Sequence, residues 1–306
     1  MAHDHGNHGR GSSDRWLVIA VAINLLLTLV EIVGGIAAGS LALVADALLN
    51  FSDAAALGIA LVARRIARRE ADTRRTFGYR RAEILAALIN LTVLVVVALY
   101  LFYEAIGRIF DPRPIHGGLM LGVALVALVV DGGTVLLLAR SARHSLNIRA
   151  ALLHNLGDAL SSVGVMIAAV GVIIWDAAFL DPLITFAIAG YVLWHTLAMM
   201  RRAIHILMES APAGLDLERL VGDLCHLDGI LDIHHVHVWQ LDEFRSAMEA
   251  HVVIDRADVD RMSQIKKAIK DRLAENHEIA HSTLEFEFPD DEHCLDQNNE
   301  IVPRHL

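Results

Sequence analysis

Six long apolar stretches joined by short polar segments occupy the first two-thirds of the chain, at residues 16–38, 41–63, 82–109, 119–138, 150–175 and 182–200. About 20 such residues in helical form cross roughly 30 Å of hydrocarbon. Inside that layer every backbone N–H and C=O must find its partner within the protein, and a helix satisfies this segment by segment. The predicted fold class is therefore an α-helical membrane protein with six transmembrane helices. Over 306 residues, 55% are hydrophobic, 20% are charged and the mean hydropathy is +0.47. That balance excludes a wholly soluble enzyme, a disordered chain and a nucleic-acid binder.

The joins sort by charge. Arg64, Arg65, Arg68, Arg69, Arg74, Arg75, Arg80 and Arg81 lie between the second and third stretches, Arg140, Arg143 and Arg149 between the fourth and fifth, and Arg201 and Arg202 after the sixth. The opposite side has only Arg108 and Arg113. The positive-inside rule then places both termini in the cytoplasm of a multi-pass protein of the cell's inner (plasma) membrane. Residues 1–15 read as a polar tail bearing His3, His5 and His8. The apolar run behind it is longer than a signal sequence and has no small-residue cleavage site, which predicts a retained span.

From residue 203 onward the character changes, from a net charge of +3 before that point to −13 after it. Residues 203–290 show a helical pattern at 216–226, alternation at 230–240 and 247–254, a second helical pattern at 259–276 and alternation again at 281–288. The order α-β-β-α-β predicts a small α+β domain with helices on one face of a sheet. Residues 291–306 read as a mobile polar tail. Cys225 and Cys294 both fall in this acidic part, which gives no disulfide framework and fits a reducing compartment.

Ionisable groups within membrane helices are costly, at least ~2.5 kcal/mol each, so they mark function. Asp46 and Asp53 stand in the second stretch, Asp131 in the fourth, and His154 and Asp158 in the fifth. His154 and Asp158 are four residues apart, on one helix face, as suits an imidazole and a carboxylate sharing a metal ion. Asp53 lies 11 residues before Arg64 and Asp158 lies 9 after Arg149. At ~1.5 Å per residue, both reach similar depth and can meet near mid-membrane. His195 has no acidic partner four residues away and reads as a packing residue.

The stretches SLALVADALLNFSD (40–53), FGYRRAEILAAL (77–88), SLNIRAALLHNLGDALSSV (145–163) and HVHVW (235–239) resemble the cation diffusion facilitator family, zinc-exporter type. The similarity runs from about residue 17 to 288. It implies a homodimer with cytoplasmic ferredoxin-like domains, exporting a divalent metal, usually Zn²⁺, in exchange for protons by alternating access. It also implies a tetrahedral site from a His-x-x-x-Asp on each of the second and fifth spans. Asp53, His154 and Asp158 match that pattern; Leu49 occupies the place of the fourth ligand, a histidine.

Leucine cannot ligate metal, so three protein ligands remain. The ligand is lost and transport impaired, or water holds the open position as in catalytic zinc sites, or another side chain substitutes. Asn50 and Asp131 are the candidate substitutes, and Asp46, on the face of Asp53, lines a path outward. Loss of an imidazole makes the site richer in oxygen, which gives the alternative of a transporter with selectivity altered toward Mn²⁺ or Cd²⁺. A metal sensor that does not transport is a further reading. An intramembrane metallohydrolase is disfavoured by the absence of H-E-x-x-H and of a separate general base.

Ten of the 17 histidines lie in the last third. Strict alternation sends His235 and His237 to one face of their strand and His234 to the other. His234 and His251 fall on neighbouring strands, and the final strand adds Glu285 and Glu287, a geometry suited to a zinc centre. The resemblance implies His234, His251 and Glu287 as ligands there, with His281 and Cys294 as further candidates. Metal bound at this place would neutralise two acidic domains and draw them together, as a sensor does. His144, in the loop before the fifth span, is a candidate for a low-affinity entry site, and the His-bearing N-terminal tail for metal hand-over.

Overall fold

Helices stand wherever the apolar stretches fall on described residues. The structure, a computed structural model, describes residues 25–141, 146–289 and 301–302. In chain order the helices are α1 (Leu25–Ala38, the described part of the first stretch), α2 (Leu41–Ala67), α3 (Arg81–Phe110), α4 (Gly117–Ser141), α5 (Leu146–Trp175) and α6 (Leu180–Leu207). Among the described residues five are long and apolar enough to span a membrane, α1 being the shorter one. Most overrun their apolar stretches because apolarity records only the hydrocarbon depth, whereas helical hydrogen bonding continues into the polar flanks.

The chain divides into two units, Met1–Val62 with Ala86–Met200, and Ala63–Leu85 with Arg201–Leu306. In the first, α4 packs along α5, and the core is built on small residues: Ala42, Ala45, Ala105, Ala124, Ala168, Ala169 and Ala189 are all fully buried. Small side chains let membrane helices approach closely, which matters because lipid is as apolar as the helices and association rests on van der Waals contact. Large apolar side chains such as Leu26, Ile89, Tyr103, Val129 and Trp194 are exposed on the outside of this unit, as lipid contact requires.

The N-terminus of α2 is tied down from two other helices. Ser40 caps it, its Oγ accepting from the backbone N–H of Leu43 at 3.1 Å. The same hydroxyl donates to Asp181 Oδ1 on α6 at 2.5 Å. Asp181 also accepts from the N–H groups of Leu41 at 2.8 Å and Ala42 at 3.1 Å. The first N–H groups of α2 are thereby satisfied by a fully buried carboxylate from a distant helix, which also complements the positive end of the helix dipole. Arg108 of α3 stands 3.6 Å from Asp181 and donates to the carbonyl of Gly39. Gly39 has φ +72, and a Cβ there would sit 2.7 Å from the carbonyl oxygen of Pro114, so only glycine fits this joint.

The second unit carries α7 (Leu217–Cys225), β1 (Asp232–Gln240), β2 (Ser246–Val253), α8 (Met262–His277, entered through a 3₁₀ turn) and β3 (His281–Glu287), in the expected α-β-β-α-β order. The sheet order is β1-β2-β3, with β1 and β2 antiparallel and β2 and β3 parallel. A parallel pair needs a crossover connection, which α8 supplies. Leu220, Leu224, Ile265, Ile269 and Leu273, spaced by four on their helices, pack on Ile233, Val236, Met248 and Val252 of the sheet. Asp223 of α7 joins the two helices, 2.6 Å from Arg272 and 3.1 Å from His277 of α8. The arginine-rich segment of the same unit is ordered by Asp72, which accepts from Tyr79 Oη at 2.5 Å and from two backbone N–H groups, while Arg75 lies over the Tyr79 ring.

Removing the carboxylate of Asp181 leaves Arg108 and the α2 terminus without their partner, so Asp181→Ala is expected to cost about 3 kcal/mol, the usual scale for breaking a buried pair. A thermal midpoint in detergent equal to that of the parent would refute this. The hydrogen bond from His277, together with Asn276 and Arg272, holds the Asp223 carboxyl below its usual range. Its stabilising effect is then fully present above the unfolded value near 3.9 and is lost as pH falls through the lower folded value. The stability difference between parent and Asp223→Asn should accordingly shrink below about pH 4, measured by denaturation across pH 3–6.

Candidate metal centre

Strict alternation along β1 fails at one residue, and the failure assembles the site. His235 adopts φ +52, a left-handed conformation that costs a residue with a Cβ on the order of 1–3 kcal/mol. The register with β2 slips there: His234 faces His251, His237 faces Glu249, and the bulge accommodates His235 and Val236 between them. A bulge of this kind shifts the phase of the side chains that follow. Val236 and Val238 therefore join Ile233 in the core, and the histidine rings gather. His235 stacks on His251 with centroids 4.5 Å apart and planes within 10°, His235 meets His237 edge-on at 5.1 Å, and His234 lies 5.5 Å from His251. The separation of His234 from His235 by face, expected from alternation, is corrected by this backbone turn.

Glu287, the last residue of β3, closes the cluster. One carboxylate oxygen is 3.4 Å from His234 Nε2 and the other 2.6 Å from His251 Nδ1. His234 is 2% exposed and Glu287 5%. One ligand atom from each of the three lies within 4.8 Å of the others. Around a tetrahedral Zn²⁺ with bonds of about 2.0–2.1 Å, neighbouring ligand atoms are roughly 3.3 Å apart, so small side-chain adjustments suffice to hold an ion. Two imidazoles and one carboxylate suit Zn²⁺ and leave a fourth position open. Asp232 stands 3.5 Å from His234 Nδ1, without a hydrogen bond to it among the described residues. Glu285 is on the rim, exposed, 3.6 Å from His251 Nε2.

Among the other sequence candidates, His281 begins the strand that Glu287 ends, about 20 Å away at strand rise, and its ring meets Phe77 edge-on at 5.8 Å. It takes no part in the cluster. His144, Cys294 and the N-terminal His3, His5 and His8 lie outside the described residues.

In the membrane unit, Asp53 is exposed on α2 and Asp158 half-buried on α5. His154 stands one turn before Asp158 on the same unbroken helix, its side chain outside the described set. Leu49 packs among Leu94, Val97, Leu101, Ile188 and Val192; its surroundings are those of a core leucine. Asn50 points elsewhere, its amide donating to Glu31 Oε2 of α1 at 3.0 Å. Asp131, 4% exposed, lies 3.4 Å from Ser162 Oγ, which donates to Asp46 at 3.1 Å. Glu31 and Ser162 escaped the sequence reading. A lone glutamate within the first apolar stretch was the available signal; nothing marked the serine.

Comparison with known proteins places these features in a family. The cation efflux transmembrane domain matches residues 17–208, and the cation efflux protein cytoplasmic domain matches residues 212–288. A zinc transporter, ZitB, of Pectobacterium atrosepticum is 38% identical over 96% of this chain and 92% of its own length. The metal cation efflux system protein CzcD of Cupriavidus metallidurans is 35% identical over 94% and 90%. A cadmium, cobalt and zinc/H(+)-K(+) antiporter of Bacillus velezensis is 33% identical over 94% and 92%. Apolar stretches that are helical where the structure describes them, followed by an acidic α+β unit with a His/Glu cluster, are what these two matched domains cover, and the chain belongs to the cation efflux family, as a multi-pass membrane transporter and not an enzyme.

Proposed function

We propose that this protein is a proton-coupled antiporter that exports divalent metal, Zn²⁺ foremost, from the cytoplasm by alternating access. It works as a homodimer in the bacterial inner membrane with both termini cytoplasmic. The observation that carries the reading is the placing of Asp53 on α2 and of His154 and Asp158 on α5, within a chain that the transmembrane family matches from residue 17 to 208. Relatives named as zinc transporters and as a metal/H(+)-K(+) antiporter support the substrate and the coupling. The excess of arginine in alternate joins supports the orientation.

Coupling follows from the ligands. Metal needs His154 neutral and the carboxylates ionised, so protons compete with it around the ordinary histidine value of about 6.5. With Leu49 held in an apolar contact, the transport site has one imidazole where the family pattern has two. The donor set is then weighted toward oxygen, which favours a second reading of altered selectivity, toward Mn²⁺ or Cd²⁺. At His234, His251 and Glu287 we assign a regulatory Zn²⁺ whose charge offsets the acidity of the domain and promotes pairing of two copies.

Three outcomes follow. Reconstituted in proteoliposomes under an imposed pH gradient, the protein should move Zn²⁺, and a gradient that drives no metal flux would sink the transporter reading in favour of a sensor. Leu49→His restores a ligand and should tighten Zn²⁺ binding about tenfold or more while steepening the loss of transport below pH 6.5; equal affinity and equal pH profiles in both forms would refute it. In isothermal titration, His251→Ala should remove one Zn²⁺ per chain from the total stoichiometry, and an unchanged count would exclude the cytoplasmic centre.

A further inference from the structure

The polar segment that follows the apolar stretch of α2 carries more positive charge than its neighbours take up. Arg64, Arg65, Arg68, Arg69, Arg74 and Arg75 are all exposed, and none of them forms an ion pair among the described residues. Arg80 and Arg81, next along the chain, do pair, standing 3.6 Å from Asp242 and 2.9 Å from Glu209. The acidic part of the chain thus engages the last two arginines of the segment and leaves the first six open. Within the segment, Asp72 accepts from Tyr79 Oη at 2.5 Å and from the backbone N–H groups of Arg74 and Arg75 at 2.8 Å, so its hydrogen bonds go to the turn and not to a guanidinium.

Two of the six are held in place. The guanidinium carbons of Arg69 and Arg75 lie over the same Tyr79 ring, 6.0 and 4.8 Å from its centroid. That ring is half-buried and tied through its hydroxyl to Asp72. The turn beneath it is closed by the Gly78 N–H, which donates to the Arg75 carbonyl at 2.9 Å. One fixed aromatic ring therefore gathers two guanidinium groups before any anion arrives. Arginine stacks on a ring face while its in-plane donors stay free, and those donors form a planar fork that matches the oxygens of a phosphate.

Depth identifies the source of that phosphate. The apolar stretch of α2 ends at residue 63, and at ~1.5 Å per residue the positions from Arg64 to Arg69 fall within about 9 Å of the hydrocarbon edge. Phospholipid headgroups occupy about the first 5–8 Å there. We infer that this segment is a docking site for anionic phospholipid headgroups, in which Arg69 and Arg75 on Tyr79 bind the phosphate and Arg64, Arg65, Arg68 and Arg74 supply the surrounding positive field. Basic clusters directly beyond a membrane helix hold anionic lipid in this way, through an attraction that fades within a Debye length. Assignment to the cytoplasmic leaflet rests on the orientation proposed above; the affinity for anionic lipid does not.

The test titrates the full-length protein in detergent with phosphatidylglycerol and, separately, with phosphatidylcholine, counting bound lipid by native mass spectrometry. Phosphatidylglycerol should bind about tenfold or more tightly than phosphatidylcholine, and Arg69→Gln with Arg75→Gln should weaken it about tenfold without changing elution on size exclusion. Arg69→Lys with Arg75→Lys, which keeps the charge and loses the fork, should fall between the two. Arg201→Gln with Arg202→Gln removes the same charge at the end of α6 and should leave the affinity near that of the parent. Equal binding of the two lipids would overturn the inference, as would equal losses from both glutamine pairs, which would mark diffuse charge and no site. Displacement of the lipid by an equal concentration of inorganic phosphate would reassign the pair to soluble anions. The count needs neither metal nor a pH gradient, so a failure of metal flux would overturn the transport reading and leave this result intact.

Discussion

The first turn of α2 is the joint on which the membrane unit depends. Asp181 on α6 closes the N–H groups of a helix that begins 140 residues earlier, and Arg108 of α3 and the carbonyl of Gly39 complete the knot. Ser40, Leu41 and Ala42 are buried, and buried backbone N–H groups need a partner within the protein, so the closure fixes where α2 starts. With it are fixed the depth and rotation of what α2 presents: Asp46, Leu49, Asn50 and Asp53 stand within about two turns of one another below one capped end. The start of α2 is thus set by a carboxylate from a helix far away in the chain.

In the cytoplasmic unit a single backbone angle has the comparable role. The left-handed turn at His235 inserts a bulge that keeps the apolar side chains of β1 in the core while bringing His234 opposite His251. Without it, alternation would divide the histidines between a wet face and a packed one. On β3, which runs parallel to β2, Glu285 pairs with His251 and Glu287 with Val253, and from there the Glu287 carboxylate reaches back to both the His234 and His251 rings. The unfavourable φ at a residue with a Cβ comes with the stacking of its ring on His251.

Leu49 shows how one side chain redistributes chemistry within a bundle. It lies in an apolar contact with α3 and α6, and its neighbour Asn50 is engaged by Glu31. The polar content of α2 thus turns toward α1, α4 and α5.

The span count, the charge asymmetry and the α-β-β-α-β order were legible in the sequence because each is a local property: hydrocarbon depth, loop charge and periodicity act over one or two turns of chain. Strand adjacency brought His234 and His251 together with Glu285 and Glu287, and the family resemblance singled out His234, His251 and Glu287 among them. Three things were decided only by the tertiary structure. The bulge at His235 depends on a register between two strands, which alternation along one strand cannot reveal. The removal of His281 from the centre follows from strand length, which sets the two ends of β3 far apart. The Asp181 cap and the Ser162 hydroxyl that reaches Asp46 and Asp131 join residues from separate helices, and the contacts that bring them together are made by packing, whose geometry no stretch of the chain contains by itself.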